Sequence, residues 1–488
     1  MLPTKLAFLA FAAALPIVAL AKPEQTADSS SQSPYLVPTR KNVLTRAIIT
    51  VGDAVNYKAD GVTPYRMVGI PDGLGAFDNG DGTFTLLMNH EIAGNGIVRD
   101  HGVRGAFVSK WIIEKESLTA LHGSDLMQHA FRWNGSAYVP LTSALSRFCS
   151  GDLPTLTAFY NPVTGKGYDG HIYMNGEESG TEGRAWAHFL DGNSYELPSL
   201  GKFSWENSVA NPATGDKTVV AGTDDGSGSG SQVYIYVGEK SISPDDRLAA
   251  AGLRNGTTYA VRVPGLPLVP AVTGVPTETD SITFTSGAFT AVSLGNVTAL
   301  TGVQLDANSR TAGASAFNRP EDSCWDPSNP NDLYFVTTAS FTGHSRLWRL
   351  SFVDPANPTL GGTATILIDG AIGNGPKMMD NITVNKRGTI LIQEDVGGNA
   401  HIGKLWRYSI PTGALEIIAQ HDPDRFAPGA PNFLTIDEES SGVIPMDDIL
   451  GEGWYLLDVQ AHYNAGDTEL VEGGQLLGLH FAPGQENK

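Results

Sequence analysis

One phrase recurs along this chain: a short apolar strand that runs straight into acids and amides. It occurs as Leu86-Leu87-Met88-Asn89-His90-Glu91 and as Ile172-Tyr173-Met174-Asn175-Gly176-Glu177-Glu178. Val219-Val220-Ala221-Gly222-Thr223-Asp224-Asp225 and Ile390-Leu391-Ile392-Gln393-Glu394-Asp395 follow the same plan, and a looser copy runs from Tyr455 through Asp458-Val459-Gln460 to His462. A lone acidic strand end in water costs nothing, but equivalent ends converge when the strands surround one axis. Converging carboxylates raise one another's pKa and need cations between them. The pattern predicts a multi-metal site in a radial β fold.

A second phrase supports this. Ser231-Gln232-Val233-Tyr234-Ile235-Tyr236, Ser345-Arg346-Leu347-Trp348-Arg349-Leu350 and Gly403-Lys404-Leu405-Trp406-Arg407-Tyr408 each follow a polar strand end after a small loop. The unit reads as a hairpin: an inner strand, a polar turn, then an amphipathic outer strand. Five or six such units imply an all-β chain folded as a β-propeller, its inner strands lining a central channel that holds the metal cluster. A pair of β-sandwiches is the main competitor, and it would not gather so many strand-end acids. The abundant Gly (56) and Pro (29) suit short strands and turns, and 41% hydrophobic residues suffice for a core. The stretch 263–316, rich in Val, Thr, Gly and Pro, reads as an insertion of further strands, and Ser243 to Gly252 as a short surface helix.

Fifty-two acids against 32 bases give a net charge of −20. That surface repels nucleic acid and anionic membranes, and it repels a phosphate ester unless bound cations reverse the local sign. Residues 1–21 read as a Sec-type signal peptide, with Lys5, an apolar run from Leu6 to Leu20, and Ala19-Leu20-Ala21 as the cleavage site. A flexible segment, 22–34, then leads into a single domain over 35–488. No other stretch could span a bilayer, so a secreted or periplasmic monomer is expected. The two cysteines, Cys149 and Cys324, leave three options open: a disulfide, a free or metal-bound Cys149, or inert burial.

Asp78-Asn79-Gly80-Asp81-Gly82 lacks the ligand spacing of a calcium loop and reads as a hairpin turn. His90-Glu91 has no second histidine at the zinc-protease spacing, and Walker, dinucleotide and Gly-x-Ser-x-Gly motifs are all missing. Arg319-Pro320-Glu321-Asp322 joins a cation suited to an oxyanion with two acids. The acids of Glu206-Asn207 and Asp380-Asn381 stand at equivalent starts of their units. A turn-capping salt bridge is the plainer reading of Arg319. Asn-x-Ser/Thr sites at Asn134, Asn255, Asn296 and Asn381 say little.

Taken in order, these segments resemble the PhoX-type alkaline phosphatases. The resemblance rests on Asn89-His90-Glu91, Cys149-Ser150-Gly151, Gly176-Glu177-Glu178, the run Leu200 to Glu206, Thr223-Asp224-Asp225, Arg319-Pro320-Glu321-Asp322, Asp380-Asn381 and Asp458-Val459-Gln460. It implies an exported β-propeller phosphatase that acts on small phosphate esters and holds iron and calcium. It further implies Cys149 as an iron ligand, and Glu91, Glu178, Glu206, Asp224, Glu321, Asp380 and Glu394 as further metal ligands. Arg319 would be the phosphate clamp. Asp152-Leu153-Pro154 after the cysteine and Thr337-Thr338-Ala339 after the arginine depart from the family pattern, as does the lack of a twin-arginine leader. Two other functions fit the same acids: a calcium-stiffened binding module, or a calcium-dependent esterase or lactonase.

Overall fold

A computed structural model of the chain describes residues 25–226, 230–269 and 274–481; the expected signal peptide, 1–21, lies outside them. The described residues are predominantly β. Six strands form the inner layer: β1 (Pro71–Asp78), β2 (Phe148–Asp152), β3 (Trp205–Ala210), β4 (Pro320–Trp325), β5 (Met379–Val384) and β6 (Glu438–Pro445). Each is the edge of its sheet. Each also packs on the next, β1 on β2 through to β6 on β1, so the six inner strands close a ring.

Further strands follow outward from each inner one, antiparallel except where Asn193–Glu196 pairs in parallel with His129–Trp133. Apolar residues fill the spaces between neighbouring stacks. One core joins Leu87, Phe148, Tyr173 and Trp186, and the next joins Met174, Trp205 and Tyr234. Others follow around Val219, Phe335 and Trp348, around Val336, Ile392 and Trp406, around Leu391, Leu405 and Leu457, and around Leu74, Leu86 and Leu456. The outermost partner of the last stack is the early strand Val43–Thr50, which pairs with Glu472–Phe481 from Val43↔Phe481 to Thr50↔Gln475. The two ends of the chain therefore share one sheet.

Two expectations change. The strands of the recurring phrase, such as Thr83–His90 and Lys217–Asp224, are second in their sheets, not innermost. The true inner strands are short and polar, as in Asp72-Gly73-Leu74-Gly75, and give little apolar signal. The inserted segment, read as further strands, contains one strand, Ser286–Gly295, that bridges the third and fourth stacks into a nine-stranded sheet. It also contains a helix, Gly302–Thr311, started by a Thr301/Gln304 capping box. The expected helix near Ser243 is a single turn, Arg247–Ala250, capped by Asp246. Both cysteines are free.

Candidate metal centre

The inner strands share a local defect. Pairing skips from Pro71 to Leu74 in β1, from Phe148 to Gly151 in β2, from Trp205 to Asn207 in β3, from Pro320 to Ser323 in β4 and from Met379 to Ile382 in β5. The residues released from the ladder are Asp72, Cys149, Glu206, Glu321 and Asp380, four of them with a polar or glycine residue after. A bulge re-aims the side chain it frees. Two residues ahead of four of these positions stands a non-glycine residue in the left-handed region: Ile70 (φ 52°), Arg147 (φ 49°), Arg319 (φ 60°) and Met378 (φ 43°). Each such residue costs roughly 1–2 kcal/mol.

The freed side chains meet in three linked groups. Asp72, Glu91 and Cys149 bring their ligand atoms within 4.8 Å of one another, as do Cys149, Glu178 and Glu206, and as do Glu206, Glu321 and Asp380. Cys149 and Glu206 are shared, so the groups form one row. The thiol of Cys149 donates to Asp72 Oδ2 (3.4 Å), and Ser150 Oγ donates to Glu206 Oε1 (2.8 Å). Gln460 Nε2 donates to Asp72 Oδ2 (3.1 Å) and Glu91 Oε2 (2.9 Å). Arg147 Nε lies 2.6 Å from Glu91 Oε1, and its Nη2 pairs with Glu178. Arg319 holds both oxygens of Asp225 at 2.8 Å and reaches Glu321 Oε1 at 3.0 Å.

The site carries more negative charge than its two arginines offset. Burial, then the neighbouring carboxylates, pushes the pKa of Asp72, Glu321 and Asp380 well above the usual range. Burial also raises Glu178 well above that range, against the pull of Arg147, and raises Glu206 to about 8. The Cys149 thiol is raised for the same reasons, burial first and then Asp72. Beyond the row, burial works against the charge of Glu439, yet the hydrogen bond and charge of His462 hold it below its ordinary pKa. Asp458 is fully buried, and neither of its oxygens has a hydrogen-bond partner among the described residues. Buried acids in this state answer to cations. The row could bind metal ions, with one thiol among carboxylates at one end and oxygen donors alone at the other.

Of the residues singled out in the sequence, Glu91, Cys149, Glu178, Glu206, Glu321 and Asp380 are brought together, with Arg319 at their edge. Asp224 and Glu394 are not in the row. Asp224 Oδ1 accepts from Ser204 N at 3.2 Å. Glu394 accepts from Lys377 N (2.9 Å), Lys404 N (3.0 Å) and Trp406 Nε1 (2.8 Å), and faces His401. Their chain neighbours take the facing positions: Asp225 acts on Glu321, and Asp395 on Asp380. Asp225 and Asp395 lie just past the ends of the strands that carry Asp224 and Glu394. Sequence reasoning also missed Asp72, Arg147 and Glu439. The available signal was the shared frame Arg147-Phe148-Cys149-Ser150 and Arg319-Pro320-Glu321-Asp322, which Ile70-Pro71-Asp72-Gly73 repeats.

The family model described as alkaline phosphatase PhoX matches residues 192–363, the stretch that holds Glu206, Asp225, Arg319 and Glu321. The solved structure of Pseudomonas fluorescens PhoX in complex with vanadate, a transition state analogue, superposes with a TM-score of 0.67. That match covers 94% of this chain and 98% of that one at 11% identity. Both matches point to the PhoX family. Trypanosoma rangeli sialidase is far less similar, with a TM-score of 0.34 and 9% identity over 93% of this chain and 59% of that one. An exo-β-1,3-galactanase from Clostridium thermocellum gives 0.31 and 11% over 67% and 61%. No curated protein matches the chain in sequence.

Proposed function

We propose that this chain is an exported, metal-dependent phosphoric ester hydrolase of the alkaline phosphatase type. The observation that carries the reading is the row of three linked ligand groups beside an arginine. The closed ring of inner strands, with six apolar cores between stacks, supports reading the fold as a six-bladed β-propeller with the row at its central channel. The donors fit iron and calcium. A thiolate with carboxylates suits iron, and the hard oxygens of Glu206, Glu321 and Asp380 suit calcium. Asp72, Glu91, Cys149 and Glu178 would hold the first metal. Such cations, when bound, neutralise the acids, polarise phosphoryl oxygens and activate an oxygen nucleophile.

The chain's own residues supply orientation and charge. Asp225 grips Arg319 through both oxygens, which fixes the plane of the guanidinium. Arg319 then stabilises charge on the phosphoryl oxygens as the ester bond breaks. Ser150 and Gln460 fix the carboxylates they bond, so the ligand row needs little rearrangement. All site residues come from one chain, so a monomer suffices. With both cysteines free, nothing ties Cys149 into a disulfide. No helix among the described residues is long and apolar enough to cross a membrane. We take residues 1–21 as the export signal and 35–488 as one domain interrupted near 263–316.

The test is elemental analysis and p-nitrophenyl phosphate turnover on one purified sample. Iron and calcium together, with turnover lost on chelation, is the expected result. Calcium alone with no turnover would favour a binding module, and calcium alone with turnover of a carboxylic ester or lactone would favour the third reading.

A further inference from the structure

Arg147 resembles Arg319 in position and in its partners. Each stands two residues before a ligand freed by a bulge, Cys149 or Glu321, and each adopts the left-handed conformation that side chains avoid. Each guanidinium bridges two carboxylates: Arg147 joins Glu91 to Glu178, and Arg319 joins Asp225 to Glu321. The acids beneath are almost sealed, with Glu91 and Glu178 side chains 7% and 9% exposed, whereas Arg147 and Arg319 keep 45% and 35% of their side-chain surface open. The two arginines thus cap the two ends of the row. Arg147 covers the groups that contain Cys149, and Arg319 covers the group that contains Glu321 and Asp380.

We propose that Arg147 is a second phosphoryl-binding residue, so that substrate is held between two guanidiniums above the row; this rests on the phosphatase reading. The bland role for Arg147 is to neutralise two acids. Neutralising two buried acids accounts for a cation at this position, but not for a guanidinium that keeps nearly half of its surface open above them on a left-handed backbone. Arg147 spends Nε and Nη2 on its carboxylates, and Nη1 has no partner among the described residues. Carboxylate oxygens committed to cations are no longer available to the guanidinium, and its N–H groups then face whatever anion arrives. A tetrahedral phosphoryl dianion offers three terminal oxygens, enough for a fork on either side and for contact with the row below.

The experiment compares wild type, Arg147→Lys and Arg147→Gln as purified full chains of measured metal content. Orthophosphate binding is read by calorimetry, and p-nitrophenyl phosphate turnover by initial rates. Wild-type metal content with orthophosphate binding weakened at least tenfold in Arg147→Gln, partly restored in Arg147→Lys, is the expected outcome, and KM should rise with kcat/KM falling in step. Binding and turnover within twofold of wild type in both variants, at equal metal content, would overturn the inference alone. So would a loss of metal in Arg147→Gln that fully accounts for the lost binding. If Arg147→Gln does not fold, Arg147→Lys keeps the charge and decides the matter by the same orthophosphate reading. A wild-type protein that neither turns over nor binds orthophosphate overturns the phosphatase reading itself.

Discussion

Cys149 is the one soft donor in a row of oxygen ligands, and it belongs to two of the three groups at once. Both of those groups lie on the side proposed for the first metal, and the group of Glu206, Glu321 and Asp380 lacks the thiol, so replacing Cys149 by serine should remove one metal and spare the other. On the metal assignment proposed above, Cys149→Ser loses iron and lowers kcat on p-nitrophenyl phosphate by at least a hundredfold. Calcium at Glu206, Glu321 and Asp380 should be retained, and elemental analysis against wild type gives the answer. Iron retained at full stoichiometry would mean that the thiol is not a ligand. At this scale the sequence was readable where a residue was chemically unusual, as with a cysteine among acids or an arginine beside two acids. It misled where two acids are adjacent. Asp224-Asp225 and Glu394-Asp395 offer the same chemistry at the last residue of a strand and the first residue beyond it, and only the point where the strand ends says which one turns toward the row.

The recurring element is the bulged inner strand: a left-handed residue, an apolar residue, a ligand and a polar or glycine partner. Its demands explain why these strands were hard to see. Two residues leave the pairing, glycines replace apolar residues, and the alternation that marks a strand is gone. The apolar second strands are what the sequence displayed, so the position of the site along the chain was legible while its innermost layer was not. Gly73 shows how tight this element is. A Cβ there would stand 2.2 Å from Gly151 N and 2.7 Å from Asn89 Nδ2, between the bulges of β1 and β2. Gly73→Ala should lower the melting temperature and the metal content together, since overpacking of this kind costs about 1–3 kcal/mol. Gly80→Ala is the control. That glycine, unlike Gly73, has positive φ (76°), and open space surrounds it, so the cost is the backbone strain alone, roughly 1–2 kcal/mol. Thermal melts of both variants, with metal analysis of each, check this.

For the whole molecule, the acids set how stability responds to pH once metals are removed. Glu206 is raised to about 8 and Asp395 to about 7, in both cases chiefly by burial. A carboxyl raised on folding holds its proton in the native state at a pH where the unfolded chain has lost it. The native state then binds more protons, and stability falls as pH rises. Chelated protein should thus melt at progressively lower temperature from about pH 5 to pH 8, and calcium should abolish most of that slope. A metal-free melting temperature that is flat or rises over this range would contradict the charge balance described for the row. One further consequence belongs to the pairing of Val43–Thr50 with Glu472–Phe481. Donors to the row are scattered from Asp72 to Asp380, yet the circle that brings them face to face is shut by a strand from each extremity of the chain. A partly made chain therefore owns every acid up to that point without owning the site, and a metal ion meets a complete set of ligands only after the clasp has closed.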